Sequence, residues 1–257
     1  MQKIFFLLKR YITLERRLKL RYKLRYVLSL FYFGNLSKMA RIHKTDKFGT
    51  HFYTPHYQRH FRKYKFKNIN LFEIGVGGYD NPHIGGNSLR MWKSFFPFAR
   101  IFSIDLYDKS FLQENRIKLF QGSQVDEEFL HEVVRAIKKI DIIIDDGSHL
   151  NDHVISTFKF LFPKLEVGGY YVIEDTQTSY WEDYGGSSKN LKKEGTIYTF
   201  FKGLIDSLNH EEMILDNYEK SYYDNHIVAI HFYHNLIFIE KGVNNEPSNK
   251  VRDNQFK

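Results

Sequence analysis

From residue 70 onward, short apolar runs alternate with segments of helical length, and this alternation constrains the fold more than any other feature of the sequence. Residues 140–145 (IDIIID) are almost continuously apolar, which fits a strand buried on both faces of a parallel sheet. Residues 70–74 (NLFEI), 100–105 (RIFSID), 117–121 (IKLFQ) and 169–174 (GYYVIE) read as further strands of that sheet. Between them, 88–96 predicts a helix stopped by Pro97. Residues 126–138 predict another, with Asp126 as N-cap and Glu127 and Glu128 in the first turn, where the helix dipole favours acids. Residues 154–161, ended by Pro163, and 197–208 predict two more. Residues 226–230 and 236–240 flank a polar turn, Tyr233-His234-Asn235, and read as an antiparallel hairpin at the sheet edge. The expected fold class is α/β: a Rossmann-like sheet, mostly parallel, closed by a C-terminal antiparallel hairpin.

Open α/β sheets bind ligands at the carboxyl ends of their strands. The first predicted strand runs out as Glu73-Ile74-Gly75-Val76-Gly77-Gly78, whose glycines allow a tight turn and close backbone approach to a ligand. The second ends in Asp105, an acid able to accept hydrogen bonds from both hydroxyls of a ribose. A dinucleotide and S-adenosyl-L-methionine both suit a glycine turn followed by an acid. A pyrophosphate needs a helix N-terminus close behind the glycines. Here the third fingerprint glycine is missing, and the next helix begins only near Ser88, after the loop YDNPHIGGN. The pattern therefore favours S-adenosyl-L-methionine, which carries no phosphate. Residues 121–126 (QGSQVD) follow the third strand and suit an adenine edge or a polar loop with a helix cap equally.

The fourth strand ends in Asp145-Asp146-Gly147-Ser148-His149 and the fifth in Glu174-Asp175. Alone, the first is a turn and the second a solvated strand end. At adjacent strand ends of one sheet, three or four carboxylates converge, and their mutual repulsion calls for a cation. Oxygen donors suit Mg²⁺, Mn²⁺ or Ca²⁺ rather than Zn²⁺. Three carboxylates on an octahedral ion leave positions for two substrate hydroxyls, so a vicinal diol fits. Coordination lowers the pKa of a hydroxyl. His149, three residues past Asp146 and beyond a glycine, is spaced to take the proton, and an imidazole's ordinary pKa of about 6.5 suits that task. His43, His51, His56 and His60 have no comparable company.

Residues 1–33 carry nine Lys/Arg against the single acid Glu15, so they supply the net charge of +8 and the rest of the chain is nearly neutral. Any polyanion contact would belong to this segment. It lacks Gly and Pro and predicts one or two helices with a basic face, ending near Gly34-Asn35. Such helices suit an anionic membrane surface or an arm on another subunit. No nucleic-acid motif accompanies the charge, so no nucleic-acid partner is expected. The longest early apolar run, residues 4–8 (IFFLL), falls far below the ~20 residues of a membrane span and is too short for a secretion signal. A cytoplasmic protein, at most peripheral at the inner membrane face, is expected. The absence of cysteine excludes disulfides, thiolate metal sites and a Cys nucleophile. Residues 1–42 are expected to form a basic helical tail and 43–257 the S-adenosyl-L-methionine-dependent domain. Within it, 176–195 predicts a lid, with Tyr180 and Trp181 to stack on a sugar and Gly185-Gly186 as a hinge.

The stretches EIGVGGY, GGNSLRMWKSFFP, SIDLYDKS, QGSQVD, IDIIIDDGSH, GGYYVIEDTQTSYW and HFYHNLIFIEKG, with the preceding HKTDKFGTHFYTPHYQRHF, resemble the macrolide-sugar O-methyltransferases of the mycinamicin and macrocin type. The resemblance covers roughly residues 43–242, and DDGSH and EDTQTSYW are not generic features of the fold. It implies a class I O-methyltransferase that uses S-adenosyl-L-methionine and Mg²⁺ (or Mn²⁺) to methylate a hydroxyl of a sugar diol, in a surface glycan or a glycosylated natural product. It implies Asp146, Glu174 and Asp175 as metal ligands and His149 as general base. It also places Glu73, Gly75, Gly77, Tyr79, Ser88, Asp105, Gln124 and Asp145 in cofactor-binding stretches. Those macrolide enzymes carry a large N-terminal domain that helps assemble a tetramer, so a homo-oligomer is an open expectation here. Two rivals are a metal-dependent hydroxylase or oxidoreductase of related fold, similar to cephalosporin hydroxylase, and an inactive glycan-binding module. An intact acid trio with His149 argues against the second.

Overall fold

The computed structural model describes residues 13–248, together with the backbone of 251–252 and 255–256. The expectations for residues 1–12 lie outside the described residues. Five strands run parallel: β1 (Asn70–Ile74), β2 (Arg100–Asp105), β3 (Ile117–Gln121), β4 (Ile140–Asp145) and β5 (Leu165–Glu174). With β6 (Ile227–Tyr233) and β7 (Leu236–Lys241) they make a seven-stranded sheet of order β3-β2-β1-β4-β5-β7-β6. β7 pairs antiparallel to both β5 and β6. The closing hairpin is as expected, and its turn is tighter: Tyr233 is still paired, with Leu236, so only His234 and left-handed Asn235 make the bend. In register, Ile74 lies beside Asp145, and Asp145 beside Ile173. The carboxyl ends of β1, β4 and β5 therefore finish at one edge.

Helices α5 (Glu127–Ile137), α6 (Asn151–Leu161) and α7 (Ile197–Leu208) belong to the same unit. The Asp126 carboxylate accepts from Phe129 N at 3.0 Å, the predicted cap. Leu130, Val133 and Ile137 on α5, Phe158 and Leu161 on α6, and Phe201 and Leu204 on α7 share one core with Ile143, Tyr171, Ile173 and Ile239 of the sheet. Phe158 meets the rings of Tyr171 and Phe201 edge-on at 5.0 and 4.9 Å. At the opposite end of the sheet, Asp141 accepts from Asn70 N at 2.9 Å and ties β4 to β1. Lys241 is buried and donates to the carbonyls of Phe162, Pro163 and Leu165, so its ammonium closes the turn between α6 and β5.

A second compact unit comprises residues up to Asn68 plus Gly86–Ala99. Its helices are α1 (Leu14–Leu30), α2 (Leu36–His43), α3 (Thr54–Phe61) and α4 (Asn87–Phe95). Thus α4, although it connects β1 to β2 along the chain, packs with the N-terminal helices, and Trp92 lies buried against Tyr57 and Phe61 at ring distances of 4.9 and 5.9 Å. Helix α2 falls within the helical tail expected over residues 1–42 but starts anew past the stop at Gly34-Asn35. Its signal is present: Leu36, Met39, Ala40 and His43 recur at helical spacing and are the buried face. Asn35 caps it by accepting from Lys38 N, and left-handed Lys44 ends it. α1 does not carry the single basic face expected of it. Among the described residues, no helix is long and apolar enough to cross a membrane.

His43 is buried, and its Nε2 shares a hydrogen bond of 2.9 Å with Ser94 Oγ. Burial, reinforced by Arg25, Arg90 and Lys93, lowers its pKa from 6.5 to about 3. The unfolded chain therefore binds a proton below pH 6.5 that the folded chain refuses. The stability held above pH 6.5 should fall as pH drops toward 3, by at most about 1.4 kcal/mol per pH unit. Urea unfolding across this range should show a shallower pH slope in His43→Gln than in the parent. Identical slopes would mean that another group dominates.

Candidate active site

The glycine turn after β1 serves the fold before it serves a ligand. Gly75 sits at φ +94°, its N–H donates to Ile104 O at 2.9 Å, and Asp146 N donates to Ile74 O at 3.1 Å. A Cβ on Gly75 would overlap the Asp146 carbonyl, so only glycine lets the ends of β1 and β4 touch. A Cβ on Gly78 would overlap the Ile84 carbonyl, and one on Gly85 the carbonyls of Val76 and Gly77. The loop 76–85 is thus folded tightly on itself. Buried Lys109 clasps it by donating to Asn81 O at 2.8 Å and Ile84 O at 3.2 Å. Gly77, at φ +79°, has nothing within 4 Å of where a Cβ would stand, so its backbone is open to an incoming molecule. Tyr79 is exposed and left-handed at φ +47°. Asp105 accepts from Val76 N at 2.9 Å with one oxygen and from Tyr107 N at 3.0 Å with the other. A carboxylate offers about four lone-pair positions, so two stay available for hydroxyls. Glu73 is fully buried within β1, and Ser88 lies in the first turn of α4.

At the end of β4, Asp145 is buried, and burial pushes its carboxyl up to about 7, against the pull of bonds from Gly147 N–H, Gln124 and Tyr171. Gln124 donates to Asp145 Oδ1 at 3.3 Å and to Thr157 Oγ1 at 3.1 Å, and accepts from Ser148 N at 2.8 Å. Its amide is engaged in holding the loop that carries Asp146 and His149. A Cβ on Gly147 would strike that amide, which explains the glycine between them.

The loop brings Asp146 and His149 to Asp175. His149 Nε2 lies 3.9 Å from Asp146 Oδ1 and 3.8 Å from Asp175 Oδ2. One ligand atom from each of the three falls within 4.8 Å of the other two, and the three residues are half-buried. Glu174, the last residue of β5, is buried beside Leu236 of β7 and stands outside this trio. His149 at φ +58° and Asp175 at φ +52° are both left-handed, a conformation that non-glycine residues adopt seldom and chiefly in turns and at functional sites. Thr178 fixes Asp175 by donating both N–H and Oγ1 to its carbonyl, at 3.3 and 3.2 Å. Two carboxylates converging on one imidazole offer hard oxygen donors that fit Mg²⁺ or Mn²⁺. The same imidazole stands where it can accept a proton from a hydroxyl held between them.

The segment after Asp175 is pinned rather than loose. Asn151, buried and absent from the sequence reading, donates to Thr178 O at 3.0 Å and Tyr184 O at 2.7 Å and accepts from Ile197 N at 2.7 Å. A single polar residue two positions past His149 gave no pattern to detect. Gly186 is closely packed: a Cβ there would overlap the backbone of Thr178 and Ser179. Tyr180 and Trp181 do present exposed rings.

Residues 99–193 match the family described as Rhamnosyl O-methyltransferase/CmcI. Over 214 residues, 82% of the chain, it is 48% identical to mycinamicin VI 2''-O-methyltransferase of Micromonospora griseorubida. It is 46% identical over 214 residues to demethylmacrocin O-methyltransferase of Streptomyces fradiae. A tetracenomycin-C rhamnosyl 3'-O-methyltransferase of Streptomyces olivaceus is 41% identical over 215 residues. The solved MycE methyltransferase in complex with Mg, S-adenosylhomocysteine (SAH) and mycinamycin VI superposes with a TM-score of 0.79 at 47% identity, covering 83% of this chain and 55% of that one. The chain spans about half the length of the curated relatives it matches.

Proposed function

The chain is a relative of the sugar O-methyltransferases of glycosylated natural products, and we propose that it transfers a methyl group from S-adenosyl-L-methionine to one hydroxyl of a sugar diol, with Mg²⁺ or Mn²⁺ as cofactor. The observation that carries this reading is the trio Asp146, His149 and Asp175 at the sheet edge that also bears the glycine loop and Asp105. Asp146 and Asp175 would hold the ion, with Glu174 as a candidate third acid. The ion would lower the pKa of a coordinated hydroxyl, and the sulfonium would supply an electrophilic methyl carbon. The chain's own part is to orient the diol and to take the hydroxyl proton at His149 Nε2 as the new O–C bond forms and the S–C bond breaks. Gly75, Gly77, Tyr79, Asp105, Gln124 and Asp145 are the residues proposed to shape the cofactor cleft, with Glu73 buried in the strand that leads into it; Ser88, in the first turn of α4, is a separate candidate. The methylated sugar would belong to a surface glycan or to a natural product.

Labelled S-adenosyl-L-methionine should bind in equilibrium dialysis, and its methyl group should pass to a glycoside bearing a vicinal diol only when Mg²⁺ or Mn²⁺ is added. Absence of donor binding would overturn the reading. Metal-dependent oxidation of the glycoside without donor consumption would favour the hydroxylase-like alternative.

A further inference from the structure

α1 turns a mixed polar and aromatic face inward and an apolar stripe outward. Tyr22, Tyr26 and Ser29 turn inward within their own unit, where the Arg90 guanidinium lies 3.6 Å above the Tyr22 ring and Arg25 donates to the His43 carbonyl. On the other side, Leu20, Leu24, Val27 and Phe31 recur at steps of four, three and four residues, which aligns them in one stripe. They are 62%, 59%, 50% and 79% exposed. The stripe divides the exposed cations of α1 into two flanks, so no single basic face emerges. A continuous exposed apolar stripe marks an interaction surface.

The charges beside the stripe say what it fits. The exposed Arg16, Arg21 and Lys23 each lie three or four residues from Leu20 or Leu24, so they border it on both sides. Glu15, the single acid of α1, is paired with Lys19. A second copy of the helix would set these cations against one another. A nucleic acid would have no use for the leucines. An anionic lipid surface satisfies both elements, since the acyl boundary accepts the apolar side chains and the headgroups accept the cations. We propose that α1 docks the protein on an anionic membrane surface through Leu20, Leu24, Val27 and Phe31, with the exposed Arg16, Arg21 and Lys23 at headgroup level. The sequence before α1 has the same character, combining IFFLL with Lys3, Lys9 and Arg10.

Vesicle flotation of the full chain tests this. The protein should float with phosphatidylcholine vesicles containing about one-third phosphatidylglycerol and bind pure phosphatidylcholine at least about tenfold more weakly. Arg16→Gln with Lys23→Gln should reduce partitioning about 25-fold, at roughly fivefold per cation. Leu24→Ser with Phe31→Ser should reduce it at least about tenfold. These side chains are exposed, so circular dichroism should report an unchanged fold in both double variants. Failure to float with either vesicle would overturn the proposal. So would flotation that ignores the Leu24 and Phe31 substitutions. A concentration-dependent dimer dissolved by those substitutions, without vesicle binding, would assign the stripe to a second copy instead.

Discussion

Asp175→Asn should lower Mg²⁺-dependent methyl transfer by about 10³-fold. Loss of a mere outer-shell partner costs a metal site about 10–100-fold, and a directly ligating carboxylate carries more. The choice of asparagine matters. Asp175 is left-handed at φ +52°, a region that asparagine tolerates and alanine does not, so the substitution removes the charge without straining the turn fixed by Thr178. Two readouts besides activity separate a metal ligand from a structural acid. In chelator, the variant should melt at or above the parent's temperature, because one of two converging carboxylates has lost its charge. On adding Mg²⁺ at 100 times its dissociation constant, the parent should gain about 2.7 kcal/mol and the variant almost nothing. A variant that keeps the full Mg²⁺ stabilisation would remove Asp175 from the metal site.

Asp175 and Glu174 differ in a way that no sequence pattern carries: Asp175 joins Asp146 and His149, and Glu174 lies buried beside Leu236. The alternation of apolar runs and helical segments identified all seven strands of the sheet, because burial on both faces leaves a signal in every residue of β4 and β1. It also placed the acids at the carboxyl ends of β4 and β5. It had no means to rank them. Which carboxylate reaches His149 depends on two backbone torsions, at His149 and at Asp175, that no hydropathy pattern encodes. The glycines were legible as a turn, yet their reason was not. Gly75 makes room for the Asp146 carbonyl from another strand, a contact 71 positions away in the chain. The place of Gln124 after β3 left an adenine contact and a polar loop equally open, and the engagement of its amide with Asp145, Thr157 and Ser148 was not legible there. The separate bounds of helix α2, inside the helical tail expected over residues 1–42, were not legible for a different cause. Its apolar face includes His43, a polar residue that becomes part of a core only through Ser94, 51 residues later.

His149→Gly should lower kcat by about 10²–10⁴-fold, the range expected for removal of a general base. Glycine is the substitution that the backbone favours, since His149 lies at φ +58°. It also vacates the space occupied by the ring, so added imidazole should restore part of the rate, in proportion to its free-base fraction. The donor's dissociation constant should not move, because His149 faces Asp146 and Asp175 rather than the glycine loop. A second reading of the same geometry is that the imidazole is itself a ligand, since its Nε2 stands within 4 Å of both carboxylates. The two readings differ in what Mg²⁺ does to the variant. If His149 is the base, Mg²⁺ affinity should stay within a few-fold of the parent, and saturating Mg²⁺ should not recover kcat. If it is a ligand, the affinity should fall sharply and high Mg²⁺ should recover most of the rate. A base with no rescue by imidazole and a ligand with no loss of Mg²⁺ affinity would together leave His149 a positioning residue, holding Asp146 and Asp175 apart until the ion arrives.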